Sequence, residues 1–412
     1  MTTVHHKRTC CRACESSRLA LFLELGTQPL ANAFLASPAE FSGEAAYPLD
    51  VYFCESCSLV QLLDVIDPEV LFGNYIYVTG TSDTIARHNL AYARAVTELL
   101  GLGAGDLVVE VASNDGSLLQ QFQALGVSVL GVEPAVNLSE FARQQGVPTE
   151  TRFFNSDTAC GLRASHGAAK AVIGNNVLAH VDDTIDFLRG ARALLAPGGM
   201  VIFEVPYLVE LLDRLEYDTI YHEHLCYFSV MALQRLCESA GLGMARIDRV
   251  PVHGGSLRVY AAAQKGHSAD AMAMADAERA AGLSGLARYR RFGADVAASR
   301  EMLRSLLCRL RGEGRKIAGY GAPAKGNTLL NYCGIDTTVL PYTVDKNERK
   351  VGLYTPGMHI PVRPVTSLLE EQPDDVLILA WNFAGEIMRQ QQTYRERGGR
   401  FITPVPRPEM HG

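Results

Sequence analysis

The stretch YDTIYHEHLCYF, residues 217–228, holds four aromatic rings, two histidines and two carboxylates. A protein interior rarely gathers so many titratable groups, so they mark either a fully satisfied core or a place where protons move. Tyr221, His222, Glu223 and His224 together offer a phenol that can donate to a developing oxyanion and imidazoles that can take up a proton. A catalytic metal is disfavoured, because H-E-H lacks the one-turn spacing of H-E-x-x-H.

A second set of residues points to a metal of another kind. Cys11 and Cys14 form one C-x-x-C, and Cys54 and Cys57 form a second. Two such knuckles complete a tetrahedral thiolate site for zinc, with no coordination position left open, so the metal should hold the fold and not catalyse. Cys10 adjoins the first pair and competes with Cys11 as a ligand. Cys160, Cys226, Cys237, Cys308 and Cys333 are scattered and fit small buried hydrophobes.

A third set suits a nucleoside. DLVVEVASNDGSLLQQF reads strand, turn, helix, with Glu110 near the strand's end and Gly116 at the turn, and the next strand, VSVLGVEP, ends in Glu133. A ligand then lies across the carboxyl ends of two neighbouring strands, where the second carboxylate can accept both ribose hydroxyls. The turn lacks G-x-G-x-x-G. A pyrophosphate needs backbone N–H groups uncovered by glycine, whereas a nucleoside bearing a cationic sulfonium suits Glu110, Asp115 and Glu133, so S-adenosylmethionine is favoured over NAD. Asn175 and Asn176 follow the next strand, where they can meet the adenine or the methionine part.

Two glycine turns come later. In VHGGSLRVY, Gly254 and Gly255 permit close backbone approach beside His253 and Ser256, and Arg258 could pair with a phosphate. In KIAGYGAPAKGNTLLN, Lys325 brings positive charge to a helix start, a natural anion site, but Asn327 after Gly326 departs from the P-loop pattern. Its partial likeness to a dinucleotide loop, with Asp345 as ribose acid, leaves an NAD-dependent oxidoreductase as an alternative. A non-catalytic, zinc-stapled nucleotide-binding module is another.

The elements that must position these groups fall into three segments of a 412-residue chain. Residues 1–80 are loop-rich and need a staple. Residues 81–246 alternate short apolar runs with amphipathic ones, the rhythm of a parallel sheet covered on both faces. Residues 247–412 open with a strand pair, continue through Ala- and Arg-rich helices with breaks expected near Gly282 and Gly293, and resume the strand and helix rhythm. The fold class is therefore α/β, with a zinc-binding module, a Rossmann-like domain and a smaller Rossmann-like domain. The net charge of −7 and the lack of a basic stripe speak against nucleic acid, including an RNA substrate. The opening residues lack the apolar core of a signal peptide and no apolar run spans a bilayer, so a cytoplasmic protein without a membrane partner is expected.

The ordered set EVASNDGSLL, GVEP, NNVLAHV, YHEH, HGGSLR and GYGAPAKGNTLLN, after the two cysteine pairs, resembles the sugar C-methyltransferases along essentially the whole chain. The resemblance implies S-adenosylmethionine held by Glu110, Ser113, Asn114, Asp115, Gly116, Glu133, Pro134, Asn175, Asn176 and His180. It implies His224 as the base, Tyr221 as donor to a keto oxygen, Glu223 as the residue that orients or balances the imidazole, and a further active-site tyrosine, Tyr77 or in reserve Tyr75. His222 falls at a variable position. The C-terminal domain, with Tyr320, Lys325 and Asn327, would help to bind a nucleotide-linked 4-keto-6-deoxysugar, thymidine diphosphate-linked, together with His253, Ser256 and Arg258. The carbon methylated would be C-3, with C-5 as the alternative, and the enzyme would be a monomer.

Overall fold

A computed structural model describes residues 4–73, 83–252 and 254–412. Tyr75, Tyr77 and His253 lie outside the described residues.

The N-terminal module is built on strands β1 (His5–Lys7), β2 (Leu19–Pro29), β3 (Ala46–Cys54), β4 (Val60–Leu62) and β5 (Asp64–Ile66). Strands β2, β3 and β4 form an antiparallel sheet, and β1 pairs with β5. The fourth strand of that sheet comes from far along the chain: Cys226–Tyr227, inside the histidine-rich stretch, pairs with β4.

The central sheet has seven strands: β6 (Leu107–Val111), β7 (Ser128–Val132), β8 (Thr149–Glu150), β9 (Ala169–Ile173), β10 (Leu195–Pro206), then, after the Cys226–Tyr227 strand β11, β12 (Gly243–Val250) and β13 (Ser256–Ala262). Their spatial order is β12-β13-β10-β9-β6-β7-β8. The first five are parallel and β13 runs antiparallel to β10 and β12. Successive side chains on β6 serve opposite faces. Val108 packs with Tyr92, Val96, Leu119 and Phe122 from the helices Asp83–Leu100 and Ser117–Ala124, while Val109 joins the core that holds Phe187, Leu188 and Leu236. Burial on both faces is what makes these strands read as continuous apolar runs. The strand order reverses between β6 and β9, which opens a crevice at their carboxyl ends.

The boundary expected between residues 246 and 247 falls inside β12. The strand pair read as the start of the third domain completes the central sheet instead, so that sheet continues to Ala262. The C-terminal sheet comprises β14 (Ile317–Tyr320), β15 (Thr343–Asp345), β16 (Val362–Pro364), β17 (Asp375–Ile378), β18 (Arg400–Thr403) and β19 (Glu409–His411), in the order β16-β15-β14-β17-β18-β19, all parallel except β19.

Of the two breaks expected in the helical segment, the one near Gly282 is present, between the helices Ala269–Ala280 and Leu286–Gly312. Gly293 does not interrupt its helix. A Cβ there would stand 2.6 Å from the carbonyl oxygen of Phe22, so the glycine lets the helix lie directly on β2.

Candidate active site

The turn after β6 is tightly wound, with Ala112, Asn114 and Gly116 all in the left-handed region. Gly116 has no alternative, since a Cβ would also press on Val147 at 3.0 Å. The turn is tied to β7 by Glu133, which accepts from Asn114 N at 2.8 Å and from Ala135 N at 2.9 Å. Pro134 lies between these anchor points. Asp115 accepts from Ser117 N at 3.1 Å and starts the next helix. Ser113 is turned onto the sheet, its hydroxyl 2.5 Å from where a Cβ on Gly131 would stand.

Glu110, only 6% exposed, has an oxygen with no partner among the described residues. Burial pushes its carboxyl well above the usual range, and the nearby Asp115 and Glu133 add to the effect. The unpartnered Glu110 oxygen, with Asp115 and Glu133 near it, is a buried group that a ligand's hydrogen-bonding atom could satisfy. The two asparagines after β9 divide the work. Asn175 accepts from Tyr92 OH at 3.3 Å and Glu204 N at 3.1 Å, which locks the loop to the sheet. Asn176, left-handed at φ 53°, holds a buried side-chain oxygen with no partner among the described residues.

The histidine-rich stretch sorts its side chains by face. His222 and Glu223 are buried, and Tyr221 and His224 are partly open. A turn bond from His224 N to Tyr221 O, 2.8 Å, brings the last two together, with ring centroids 4.1 Å apart. His224 Nδ1 lies 2.8 Å from the Thr219 carbonyl. A carbonyl only accepts, so Nδ1 carries the proton and Nε2 of the neutral ring carries the lone pair. One contact that orients the imidazole is therefore a backbone one. The Glu223 side chain accepts from Asn32 Nδ2 at 2.6 Å, a link to the N-terminal module. His222 lies 3.2 Å from the carbonyl oxygen of Pro48 and packs on Tyr47, a structural position. His180, expected among the cofactor contacts, places its ring edge-on to His224, centroids 4.9 Å apart.

The cysteine knuckles are near copies. In each, the residue after the second cysteine, Glu15 or Ser58, is left-handed and donates to the carbonyl of the first cysteine, at 2.9 and 2.8 Å. The sulfurs of Cys11, Cys14, Cys54 and Cys57 lie within 4.8 Å of one another, with Cys11 and Cys57 at 3.5 Å and Cys14 and Cys54 at 3.6 Å. A tetrahedron with bonds of about 2.3 Å has edges of roughly 3.8 Å, so the cluster fits zinc. Cys10 stands outside the cluster.

Three family models cover most of the chain: a zinc binding domain over residues 11–72, a methyltransferase domain over 85–246, and a C-methyltransferase C-terminal domain over 251–406. C-methyltransferase NovU from Streptomyces niveus is 38% identical over 403 residues, covering 97% of this chain and 96% of that protein. The chain belongs to the S-adenosylmethionine-dependent C-methyltransferases. Among solved structures, magnesium protoporphyrin IX methyltransferase ChlM from Synechocystis PCC 6803 with bound SAH is 16% identical with a TM-score of 0.34, over 47% of this chain and 90% of that one. The partner of the Haloferax volcanii Trm112 activator complex is comparable, 15% identical with a TM-score of 0.34, over 44% and 95%. At that level neither bears on the chemistry. No helix of the described residues is long and apolar enough to cross a membrane.

In this C-methyltransferase several charged residues that look free in the sequence are already paired. Arg258 donates through Nε to Glu204 at 2.7 Å and through Nη2 at 2.6 Å, and lies 3.9 Å over the Tyr92 ring. Burial alone would push the Glu204 carboxyl up, but His88 and Arg258 hold it below its ordinary value. Arg258 is thus committed to the central sheet and not offered to a phosphate. Arg258→Met should cost about 3–5 kcal/mol by leaving a buried carboxylate under-compensated, with KM for the methyl acceptor unchanged, as urea denaturation and steady-state kinetics would show. Ser256 likewise donates inward, to Val252 O at 3.1 Å. Gly254 and Gly255 make room for Glu216 and Glu210, whose side chains would lie 2.9 and 2.8 Å from added Cβ atoms.

The C-terminal glycine turn is also internally occupied. Asp345 accepts from Ala322 N at 2.7 Å and Asn347 N at 2.8 Å, and a Cβ on Gly319 or Gly326 would meet Thr343 or Leu379 at 2.6 and 2.8 Å. These glycines serve sheet packing and Asp345 closes the turn. Lys325 lies 4.3 Å over the ring of Trp381, whose Nε1 donates to Asp218 at 2.5 Å. Burial lowers the lysine's pKa, and Asp218 and Glu216 partly restore it. Asn327 donates to Ala31 O at 2.7 Å and staples this domain to the N-terminal module, while Tyr320 is buried with its hydroxyl 3.5 Å from Gln391. Thr219, Asn32 and Trp381 went unnoticed in the sequence, and Asp218 was counted among the carboxylates of its stretch without a role. Only Trp381, the chain's single tryptophan, carried a signal of its own.

His180 gives the protein an acid limb. Burial, then the neighbouring His224, hold its pKa down to about 3, against 6.5 for a free histidine. A depressed folded-state value means that the stabilisation is complete above pH 6.5 and is lost as pH falls toward 3. Between pH 7 and 5 the wild type should lose about 2 kcal/mol more than His180→Asn, at 1.36 kcal/mol per pH unit. Urea melts at the two pH values check this.

Proposed function

We propose that this enzyme methylates a ring carbon beside the ketone of a nucleotide-linked 4-keto-6-deoxysugar, thymidine diphosphate-linked, at C-3 with C-5 as the alternative, acting as a cytoplasmic monomer. Methylation on carbon needs a carbon nucleophile, and a sugar provides one when a neighbouring ketone lets a C–H proton leave as an enolate. The observation that carries the reading is His224, whose Nδ1 is fixed on the Thr219 carbonyl and whose ring lies beside that of Tyr221, centroids 4.1 Å apart.

His224 Nε2 takes the proton from the carbon next to the ketone, and Tyr221 donates to the oxygen as it gains charge. Tyr77, or Tyr75, supplies a second donor. Glu110, Asp115 and Glu133, with Asn176, hold the cofactor, and S-adenosylmethionine when bound supplies a methyl group made electrophilic by its sulfonium. Glu223 fastens the catalytic stretch to Asn32. His180 stays neutral at physiological pH, so it does not set a second positive charge against the protonated base. Lys325, Tyr320 and Asn327 of the C-terminal domain would assist in binding the nucleotide-linked sugar.

The test is incubation with methyl-labelled S-adenosylmethionine and freshly generated thymidine-diphosphate 4-keto-6-deoxyhexose in heavy water, read by mass spectrometry and NMR. Label on a ring carbon is the expected result and identifies that carbon. Absence of both label and deuterium exchange, across 2-deoxy and 2-hydroxy sugars, would remove the sugar reading.

A further inference from the structure

The zinc module touches the catalytic stretch through backbone bonds. Strand β11 pairs with β4, Cys226 opposite Gln61 and Tyr227 opposite Val60. Leu62 N donates to Leu225 O at 2.9 Å, and Leu225 N donates to Ala179 O at 2.7 Å. Leu225 follows His224 and Ala179 precedes His180. Both imidazoles therefore sit one residue from a chain of hydrogen bonds that begins in the zinc module.

Gln61 occupies an unexpected place in that strand. It is fully buried in the apolar run Leu59–Leu63, where an amide is costly unless every polar atom is used. Its Nε2 donates to Cys11 Sγ at 3.1 Å, and its Oε1 accepts from Arg12 N at 3.1 Å and Arg12 Nη1 at 3.2 Å. The Arg12 side chain is itself fully buried. It also donates to Leu62 O, and through Nε to Asp182 at 3.1 Å, an oxygen that Arg8 shares at 3.1 Å. Asp182 lies two residues after His180.

Four thiolates around one dication leave a net negative centre, and a buried guanidinium with an amide N–H on a thiolate is the arrangement that compensates it. We infer that Gln61 and Arg12 are positioning residues, which fix the Cys11 thiolate and pass its placement, through Leu62 and Asp182, to the turns that carry His224 and His180. The inference rests on His224 as the base, and its test includes readouts that do not depend on sugar chemistry.

Gln61→Leu removes the donor to sulfur. A chelator should then strip zinc about 10–100 times faster than from wild type, followed by metal release, and kcat should fall about tenfold or more. KM for the sugar and the calorimetric Kd of S-adenosylhomocysteine should stay within about threefold, which a general loss of folding would not allow. Unchanged zinc release would overturn the thiolate link, and faster release with unchanged kcat would overturn the positioning role. Asp182→Ala serves as the second variant, because it removes the acceptor that Arg12 and Arg8 share while leaving Gln61 and its contact to Cys11 in place. Its zinc release should match wild type while kcat drops severalfold at constant KM, and an unchanged kcat would sink the Asp182 branch of the relay even if Gln61→Leu fails to fold. Should His224→Ala retain activity, the base assignment fails, while the zinc-release readout still decides whether Gln61 holds the thiolate.

Discussion

His224→Ala should lower kcat by about 10²–10⁴, the usual worth of a positioned general base, and should abolish deuterium uptake next to the ketone to the same degree. Exchange is the sharper readout, because it reports proton removal without requiring methyl transfer. The variant should keep its fold. The side chain is partly open and its described polar contact is to a backbone carbonyl, while the bonds that seat the stretch, Leu62 N to Leu225 O and Leu225 N to Ala179 O, involve neither imidazole nitrogen. S-adenosylhomocysteine should therefore bind the variant with its wild-type affinity. Retained exchange with lost methylation would place the base elsewhere and leave His224 a role in geometry alone. Tyr221→Phe, which removes the hydroxyl proposed to donate to the oxyanion, should cost about 10²–10³ in kcat.

Removal of zinc should have the larger effect on the molecule as a whole. Structural zinc sites contribute about 10–16 kcal/mol in small isolated modules, while whole domains are stable by only about 5–15 kcal/mol. The metal ties the Cys11–Cys14 knuckle to the turn between β3 and β4, whose Cys54 is the last residue of β3, so its loss frees both. A strong chelator, or Cys14→Ser, should split the thermal transition into two, with an early step for the N-terminal module. Activity should disappear with that first step, because the module carries the partner strand of Cys226–Tyr227 and the Asn32 contact to Glu223. Cys10→Ser should leave the zinc content at one per chain. A protein that keeps its melting temperature and kcat without metal would contradict this account.

Much of this was legible in the sequence because it is local. A C-x-x-C knuckle needs only four residues to declare itself, and the carboxylates at the ends of β6 and β7 belong to turns that follow directly from strand and helix rhythm. Pairing between distant segments was not legible. Residues 243–262 read correctly as two strands, but periodicity does not say which sheet a strand joins, so an antiparallel pair closing a parallel sheet looked like the start of a new domain. Arg258 looked like a phosphate ligand because its partner, Glu204, stands 54 residues earlier on the neighbouring strand. Lys325 looked like an unopposed charge at a helix start, and its surroundings, Asp218 and Trp381, come from the central segment and from beyond β17. Gly293 looked like a helix breaker because its reason is a carbonyl on β2, more than two hundred residues away in the chain. The role of Thr219 has no sequence signal at all, since any residue supplies a carbonyl.

The strand at Cys226–Tyr227 has a practical side. It belongs to the central segment by chain order and to the N-terminal sheet by its hydrogen bonds. Recombination at the apparent joints between domains, whether in a laboratory library or in a lineage of related enzymes, would separate β4 from the partner it was selected with. Chimaeras that exchange residues 4–73 alone should mostly be folded but idle, and those that exchange residues 217–228 along with them should work. The unit to be exchanged together is a discontinuous one, made of residues 4–73 and a twelve-residue piece from the middle of the chain.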